Sequence, residues 1–288
     1  MKKHMARLVA LCLTMGLLCA VLPAARAEDY VVASGRCGDG LIWRLFNVGE
    51  LIISGEGAMT DFTAYYYAPW FVRCEAVTTV TIEKGVTSIG RYAFSCCSNL
   101  SLISIPSSVT SIGDDAFKSC ASLALITIPV SVASIGERAF SGCTAMSSVI
   151  ICGASTIGNE AFDGCTSLSS VILPDTVISI GDRAFRACSN LTSITIGVCV
   201  ASIGACAFEG CSALTGVNYK GSQAQWDSIT IGEGNEALLS GSGFQYSGTG
   251  EPPAADQPGD LNHDGAVNMK DAVLLMRYIA GGYGVVLS

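Results

Sequence analysis

Two ladders of residues run through the middle of the sequence in step with each other. One consists of phenylalanines and the other of cysteines, and each advances by 23, 23, 22, 23 and 23 residues. The phenylalanines are Phe94, Phe117, Phe140, Phe162, Phe185 and Phe208. The cysteines are Cys97, Cys120, Cys143, Cys165, Cys188 and Cys211. Two ladders that keep one phase over five intervals indicate an internal repeat, so a solenoid of stacked coils is predicted.

Each repeat, aligned on its phenylalanine, reads approximately I-G-x-x-A-F-x-x-C-x-x-L-x-x-I-x-I-P-x-x-V-x-S. Ile126-Thr127-Ile128 alternates apolar and polar residues, which is typical of a short half-buried strand, and Pro129 ends that strand. Gly136 permits a sharp turn before a short helix. The acidic residues after such glycines suit a helix N-terminus. They are Asp114, Glu137 and Asp182. The predicted fold is a β/α stack with a short parallel sheet on one face.

The six ladder cysteines occupy one equivalent position in each coil. Disulfides are the default expectation for an exported chain, and paired coils lie about 5 Å apart, which is within bridging reach. A buried thiol, however, packs as a small apolar group. We therefore expect free thiols in the core, with bridges between neighbouring coils as the alternative.

The first 27 residues are interpreted as a secretory signal peptide. A basic start, an apolar run from Leu8 to Leu22 and the small-x-small sequence Ala25-Arg26-Ala27 place the mature start near Glu28. Cleavage removes four of the 16 Lys and Arg and none of the 24 Asp and Glu, so the net charge falls from −8 to −12. This charge disfavours nucleic acid and anionic membranes as partners, and no further apolar run predicts a membrane span. A secreted or cell-surface protein is expected.

Residues 35 to 246 resemble the BspA-type leucine-rich repeats of bacterial surface proteins. Cys37-Gly-Asp-Gly-Leu-Ile-Trp43 and Ala68-Pro-Trp70 resemble the N-terminal cap of that family, and Gln225-Trp226 resembles its closing segment. The resemblance divides the chain into a cap with the first coil (28–85) and a leucine-rich-repeat solenoid with its closing segment (86–246). It implies an interaction surface of the adhesion type, without a particular ligand or a catalytic activity.

The middle residue of each predicted strand points away from the core, onto the face of the sheet. These ligand-face candidates are Ser104, Thr127, Ile150, Ile172, Thr195 and Asn218. The positions two residues earlier are Leu102, Leu125, Ser148, Ser170, Ser193 and Gly216. Such an uncharged face suits an unidentified protein or glycan, although a merely solvated sheet would have the same composition. The aromatic cluster Tyr65-Tyr66-Tyr67 with Trp70-Phe71 suggests either a sugar platform or packing within the cap.

Residues 247–258 have the composition of a linker, and a calcium loop follows them. Oxygen donors occupy loop positions 1, 3, 5, 9 and 12, position 7 offers its backbone carbonyl, and Gly265 supplies the turn at position 6. The predicted ligands of Ca²⁺ are Asp260, Asn262, Asp264, Ala266, Asn268 and Asp271. Hard carboxylate and amide oxygens favour Ca²⁺ over transition metals.

Residues 259–288, with this EF-hand-like loop and the helical pattern after it, resemble one dockerin repeat. Dockerins attach secreted proteins to cohesin modules of a cellulosome-type scaffold. The resemblance implies cohesin contacts at Met269, Lys270, Met276 and Arg277. A dockerin has two such repeats and this sequence contains one, so the module is either partial or degenerate.

Three classes of function remain to be compared. A non-catalytic binding protein attached to a scaffold is the leading hypothesis. A polysaccharide-degrading enzyme is the second, but the chain after residue 27 has one histidine, His263, and it lies in the calcium loop. A Ser-His-Asp arrangement is therefore not expected in the solenoid. The third class is a structural spacer without a ligand of its own.

Overall fold

The computed structural model describes residues 29–64, 68–239 and 243–247, and these residues form a stack of coils. The predicted signal peptide, the calcium loop and Tyr65, Tyr66 and Tyr67 lie outside the described residues. Each complete coil contributes one strand to each of two parallel sheets, and a series of turns closes its third side. The predicted solenoid with a parallel sheet on one face is confirmed, and a second parallel sheet was not predicted.

The first sheet begins in the N-terminal cap. Its strands β1 (Val31–Arg36), β2 (Leu41–Phe46) and β3 (Glu50–Gly55) pair antiparallel, and β5 (Thr79–Ile82) and β7 (Leu102–Ser104) continue in parallel. The same side continues as a separate six-stranded parallel sheet, and the two together are called the first sheet below. Its strands are β9 (Leu125–Ile128), β11 (Ser148–Ile151), β13 (Ser170–Ile172), β15 (Ser193–Ile196), β17 (Gly216–Tyr219) and β19 (Gly243–Tyr246).

The second sheet has eight short parallel strands, five of which come from the Val-x-Ser-Ile part of the repeat. They are β4 (Gly57–Ala58), β6 (Val86–Ile89), β8 (Ser111–Ile112), β10 (Ser134–Ile135), β12 (Thr156–Ile157), β14 (Ser179–Ile180), β16 (Ser202–Ile203) and β18 (Thr230–Ile231). Within the described ranges, the helical segments are a 3₁₀-helix at Phe71–Ala76, α1 (Gln223–Asp227) and α2 (Glu236–Leu239). Among the described residues, no helix has the length and apolar character needed to cross a membrane.

The third side of each coil consists of turns, so the predicted short helix and the β/α unit were wrong. The amide of Phe94 donates to the carbonyl of Ala116 in the next coil at 2.7 Å, whereas the amide of Cys97 donates to Phe94 in its own turn at 3.1 Å. Because successive amides donate alternately to the next coil and within their own turn, the backbone is left-handed at two positions of each coil. Examples are φ 55° at Tyr92 and φ 62° at Cys96. The bonds between coils replace the hydrogen bonds of a helix.

The glycine after each Ser-Ile strand permits close stacking of the coils. A Cβ on Gly136 would lie 2.6 Å from the backbone nitrogen of Asp114 in the preceding coil. Gly158 and Gly181 have the same relation to their preceding coils. Since φ is not positive at these positions, the glycine is required by the neighbouring backbone and not by its own conformation.

Stacked aromatic rings form the centre of the core. Consecutive ladder phenylalanines have ring centroids 5.2–5.4 Å apart, and all six are fully buried. Trp70 extends this stack into the cap, 5.4 Å from Phe94, and its indole Nε1 donates to the carbonyl of Ala93 at 2.8 Å. Burial of each ring contributes about 2 kcal/mol, and no coil can achieve it without its neighbours.

The ladder cysteines line the core beside the phenylalanines. Five of them are buried thiols, and each thiol donates to the carbonyl of the phenylalanine one coil earlier at 3.1–3.3 Å. They are Cys120, Cys143, Cys165, Cys188 and Cys211. Cys97 is bonded to Cys74 instead, one period earlier in the chain. The expectation of free thiols is therefore wrong for Cys97, because the period extends one coil further toward the N-terminus.

Asn235 closes the C-terminal end of the stack. Its side-chain oxygen accepts from the amide of Phe208 at 3.1 Å, at the place where a further coil would offer a backbone carbonyl. Its Nδ2 donates to Gly204 and Gly232 at 2.9 and 2.7 Å. Trp226, on α1, packs its ring 4.7 Å from that of Phe244 on β19. The last coil is thereby covered without a further repeat.

Candidate ligand-binding face

The predicted ligand-face residues lie on the outer surface of the first sheet. The register pairs Thr127 with Ile150, Ile172 with Thr195, and Thr195 with Asn218. Ile172 is 45% exposed and Thr127 is exposed, whereas the other four candidates are half-buried. The structure thus places the candidates in one row along the axis of the solenoid.

The row is longer than the sequence analysis proposed. Thr81 pairs with Ser104 and with Ile52 in the cap, and Gln245 pairs with Asn218 at the other end. The alternating sequence Thr79-Val-Thr-Ile82 resembles the strands of the repeats, so this signal was available for Thr81. Gln245 lies beyond the last ladder residue, where the repeat pattern no longer applies.

The cap end of the face, which lies beyond the predicted candidate positions, is charged. The hydroxyl of Thr81 donates to the carboxylate of Glu50 at 3.1 Å, and Arg44 on β2 pairs with Ile52. From β7 to β17 the two candidate rows contain no charged side chain. A ligand that covers the repeats therefore meets hydroxyl and aliphatic groups, and meets charges only near the cap.

Hydroxyl side chains at the start of these strands bind the preceding coil. Ser101 donates to Thr78 at 3.1 Å, and Thr192 donates to Ser169 at 3.0 Å. The equivalent residue in the second coil is Ala124, which has no hydroxyl. The described strands β7 and β9 do not pair at this point, so the first sheet is interrupted there. The face consequently has two parts, with Leu102 and Leu125 on either side of the interruption.

The second sheet presents a row of hydroxyl residues that the sequence analysis missed. Consecutive members are paired in register along seven strands. They are Ser88, Ser111, Ser134, Thr156, Ser179, Ser202 and Thr230. The repeated Ser-Ile was the available signal. The predicted strands cover only the Ile-x-Ile part of the repeat, so this face was not predicted.

The turn side carries ion pairs between coils. Asp115 is nearly buried and accepts from Arg138 at 2.9 and 3.1 Å, while Lys118 lies 3.3 Å away. The hydrogen bond with Asp115 raises the pKa of Arg138. Arg186 and Asp163 form another ion pair between adjacent coils, at a different position of the turn, at 2.9 Å. These charges satisfy one another across the stack, which favours a structural role for this side.

Two acidic residues that were predicted at helix N-termini accept hydrogen bonds from backbone amides on the turn side. The carboxylate of Asp114 accepts from the amide of Glu137 at 2.9 Å, and that of Asp182 accepts from the amide of Ala205 at 2.8 Å. The predicted helix N-terminus is therefore replaced by a bond to the next coil. Within the described ranges, no group of three or more His, Cys, Asp or Glu has the arrangement of a metal site.

The aromatic cluster is partly internal. Trp70 is fully buried against Phe94 and Trp43, so its ring is not available as a sugar platform. This agrees with packing within the cap, the second of the two interpretations of the cluster. The predicted calcium ligands Asp260 to Asp271 and the predicted cohesin contacts all lie outside the described residues.

Comparison with known proteins identifies the repeat. Residues 67–156 and 149–231 match a family described as BspA type leucine rich repeat region, in six copies. A leucine-rich repeat protein of T. pallidum is 25% identical, with 62% of this chain and 91% of that chain covered and a TM-score of 0.45. No curated protein matches the chain.

Two further solved structures are similar. A leucine-rich repeat protein from Bacteroides ovatus is 21% identical, with 78% of this chain and 71% of that chain covered and a TM-score of 0.41. A leucine rich cell surface protein from Faecalibacterium prausnitzii is 19% identical, with 72% of this chain and 98% of that chain covered and a TM-score of 0.21.

Proposed function

Because this chain belongs to the BspA-type leucine-rich repeat family, we propose that it is an exported, non-catalytic binding protein. Its ligand, a protein or a glycan, docks on the outer face of the first sheet. The observation that carries this proposal is the uncharged row of equivalent strand positions from Ser104 to Asn218. Beyond the interruption after β7, the register pairs Thr127 with Ile150, Ile172 with Thr195, and Thr195 with Asn218. Ile172, with 45% of its surface exposed, offers the apolar contact that such an interface needs.

The same coil provides a matched pair of substitutions to test this face. Ile172 lies on the first sheet and Ile178, which is 41% exposed, immediately precedes β14 on the second. The full chain is first screened against a glycan array and extracellular proteins. For a ligand found there, Ile172→Glu should weaken binding about tenfold or more, because it buries an unpaired charge, whereas Ile178→Glu should have no effect.

The outcomes of this test separate the functional classes. Loss of binding in Ile178→Glu alone would move the binding face to the second sheet and contradict the proposal. A screen without any ligand would favour a structural spacer. Release of sugar from cell-wall polysaccharide by the pure protein would instead establish an enzyme.

The proposal includes attachment through the C-terminal segment. Three carboxylates and two amides at the spacing of an EF-hand loop support Ca²⁺ binding by Asp260, Asn262, Asp264, Asn268 and Asp271, with the carbonyl of Ala266. In calorimetry of the full chain, Asp264→Ala should abolish the Ca²⁺ heat, whereas Asp256→Ala in the predicted linker should retain it. An unchanged heat in Asp264→Ala would exclude this loop as the site.

Attachment to a cohesin is tested separately. Met269, Lys270, Met276 and Arg277 are the proposed contacts, and binding to an immobilised cohesin should require Ca²⁺ and be lost with a chelator. Met276→Glu should weaken binding about tenfold, since it places a charge in an apolar contact, without changing the Ca²⁺ heat. Calcium binding with no cohesin partner would leave a metal-stabilised tail and remove the scaffold from the proposal.

Export is tested at the N-terminus. The predicted cleavage after Ala27 gives a secreted protein whose sequence begins at Glu28. N-terminal sequencing of protein recovered outside expressing cells checks this start. Retention of Met1 on the recovered protein would contradict the signal-peptide interpretation.

A further inference from the structure

The interruption of the first sheet between β7 and β9 coincides with missing hydrogen-bond donors at both ends of this strand pair. One coil later, where β9 and β11 pair, the amide and the hydroxyl of Ser147 donate to the carbonyl of Ala124 at 2.9 and 3.3 Å. The amide of Cys152 donates to the carbonyl of Ile128 at 3.0 Å. At the interruption the equivalent donor residues are Ala124, which has no hydroxyl, and Pro129, which has no N–H. The sequence of these two coils therefore accounts for the lost pairing.

Side chains beside the interruption are more exposed than their counterparts in neighbouring coils. Ile105, which follows β7, is half-buried, whereas the equivalent Ile82 and Ile128 are buried, with 3% and 0% exposure. On the outer face, Leu102 and Leu125 occupy equivalent positions of β7 and β9, and Leu102 is 49% exposed. The two coils are thus less closely packed on the side of the first sheet.

The same two coils remain bonded on their other two sides. In the second sheet β8 and β10 are paired, and the amide of Gly136 donates to the carbonyl of Ile112 at 2.9 Å. On the turn side Arg138 binds the nearly buried Asp115 at 2.9 Å, and the ladder rings of the two coils stack at 5.2 Å. Because two sides are held and the third is not, the coils can rotate apart on the open side without separating.

We propose that the solenoid bends at this interruption. The two coils rotate about the second sheet and the turn side, and the first sheet opens and closes between β7 and β9. A hinge of this kind needs only a short stretch of backbone with few hydrogen bonds. The motion changes the angle between the two parts of the outer face and the separation of Leu102 from Leu125. It requires no ligand, so it is tested independently of the proposed binding function.

Distances across the first sheet test the bending directly. In the full chain, nitroxide labels are attached through a keto amino acid, which leaves the native cysteines unmodified. One sample carries labels at Thr78 and Ser147, which are exposed and lie three strands apart with the interruption between them. The second carries labels at Ser147 and Thr215, also exposed and three strands apart. Pulsed electron resonance should give a distance distribution about twofold wider for the first pair. Equal widths would overturn the proposal.

Restoring the missing donors should remove this difference. Ala124→Ser combined with Pro129→Ala supplies a hydroxyl and an N–H to the preceding coil, so the first distribution should narrow to the width of the second. The control combines Ala121→Ser, at an exposed turn residue, with Pro106→Ala, at the end of the already paired β5 and β7. It should leave the width unchanged. Narrowing in both variants, or in neither, would contradict a hinge at the interruption.

Hydrogen exchange locates the axis of the motion. Residues 101–106 and 124–129 should exchange about tenfold faster than residues 133–136, because the amides of Ala133 and Gly136 donate to the preceding coil in the second sheet. Equal rates in the two regions would mean that the coils separate as a whole, and the hinge would then be wrong.

Discussion

At the scale of single residues, the stack depends on polar side-chain atoms that supplement or replace backbone hydrogen bonds. Each ladder thiol satisfies a phenylalanine carbonyl that already accepts from its own turn, as Cys143 does for Phe117. Cysteine combines small size, apolar character and a weak donor, which explains its use at a position where alanine would lose the bond. Asn235 has the corresponding role at the end of the stack, with three hydrogen bonds and 2% exposure.

Asn235→Ala should lower the free energy of unfolding by about 2–3 kcal/mol, since it leaves one buried amide and two carbonyls without partners. Urea denaturation measures this loss, and hydrogen exchange should locate it in the last coil. The exposed Asn190, substituted in the same way, is the control and should change stability by less than about 0.5 kcal/mol. Equal losses for the two variants would show that the closing role of Asn235 is wrong.

At the scale of elements, two kinds of glycine carry out different tasks in the turns. Gly136 faces the backbone of the preceding coil, whereas Gly164 has a positive φ of 70° and its nearest neighbour lies 3.9 Å from an added Cβ. Ala187 occupies the position equivalent to Gly164 with φ 55°. One glycine is therefore required for space and the other only for conformation.

Gly136→Ala should cost about 3 kcal/mol or more, because the opposing backbone cannot move without separating two coils. Gly164→Ala should cost about 1 kcal/mol, the strain of an L-residue in the left-handed region. The reverse change, Ala187→Gly, is expected to stabilise the chain by a few tenths of a kcal/mol, since relief of strain exceeds the added chain entropy. Denaturation midpoints of the three variants check this order, and similar costs for the two glycines would contradict it.

The element scale also shows which parts of the fold the sequence determines alone. The Phe and Cys ladders correctly predicted the core because their period is a property of the whole array. A helix was wrongly predicted because glycine followed by an acidic residue is common both at helix starts and in these turns. The hydrogen bond that the Asp114 carboxylate accepts from the next coil distinguishes the turn from the helix. Cys74 was not predicted as a ladder member because no ladder phenylalanine accompanies it. The ring that stacks on Phe94 is that of Trp70, and Trp70 does not lie one repeat length before Phe94.

At the scale of the whole molecule, the buried thiols cause the free energy of unfolding to decrease as the pH rises into the alkaline range. Burial raises the pKa of Cys37 to about 12, and it is also the main cause that raises the pKa of Cys120, Cys143 and Cys165. In the unfolded chain such thiols ionise near pH 8.5. A raised folded pKa means that the unfolded state loses its protons first as pH rises. The stabilising contribution is therefore complete below about pH 8.5 and decreases above it.

Each of these four thiols should reduce the free energy of unfolding by about 1.4 kcal/mol per pH unit once the unfolded chain is ionised, or by about 5 kcal/mol per unit together. Anaerobic urea titrations at intervals from about pH 7 to about pH 10.5 measure this slope, which for Cys37 continues toward about pH 12. Cys143→Val, which places an apolar group in the core in place of one thiol, should reduce the slope by about a quarter. A stability that remains constant up to about pH 10 would show that the ladder thiols are solvated in the folded protein.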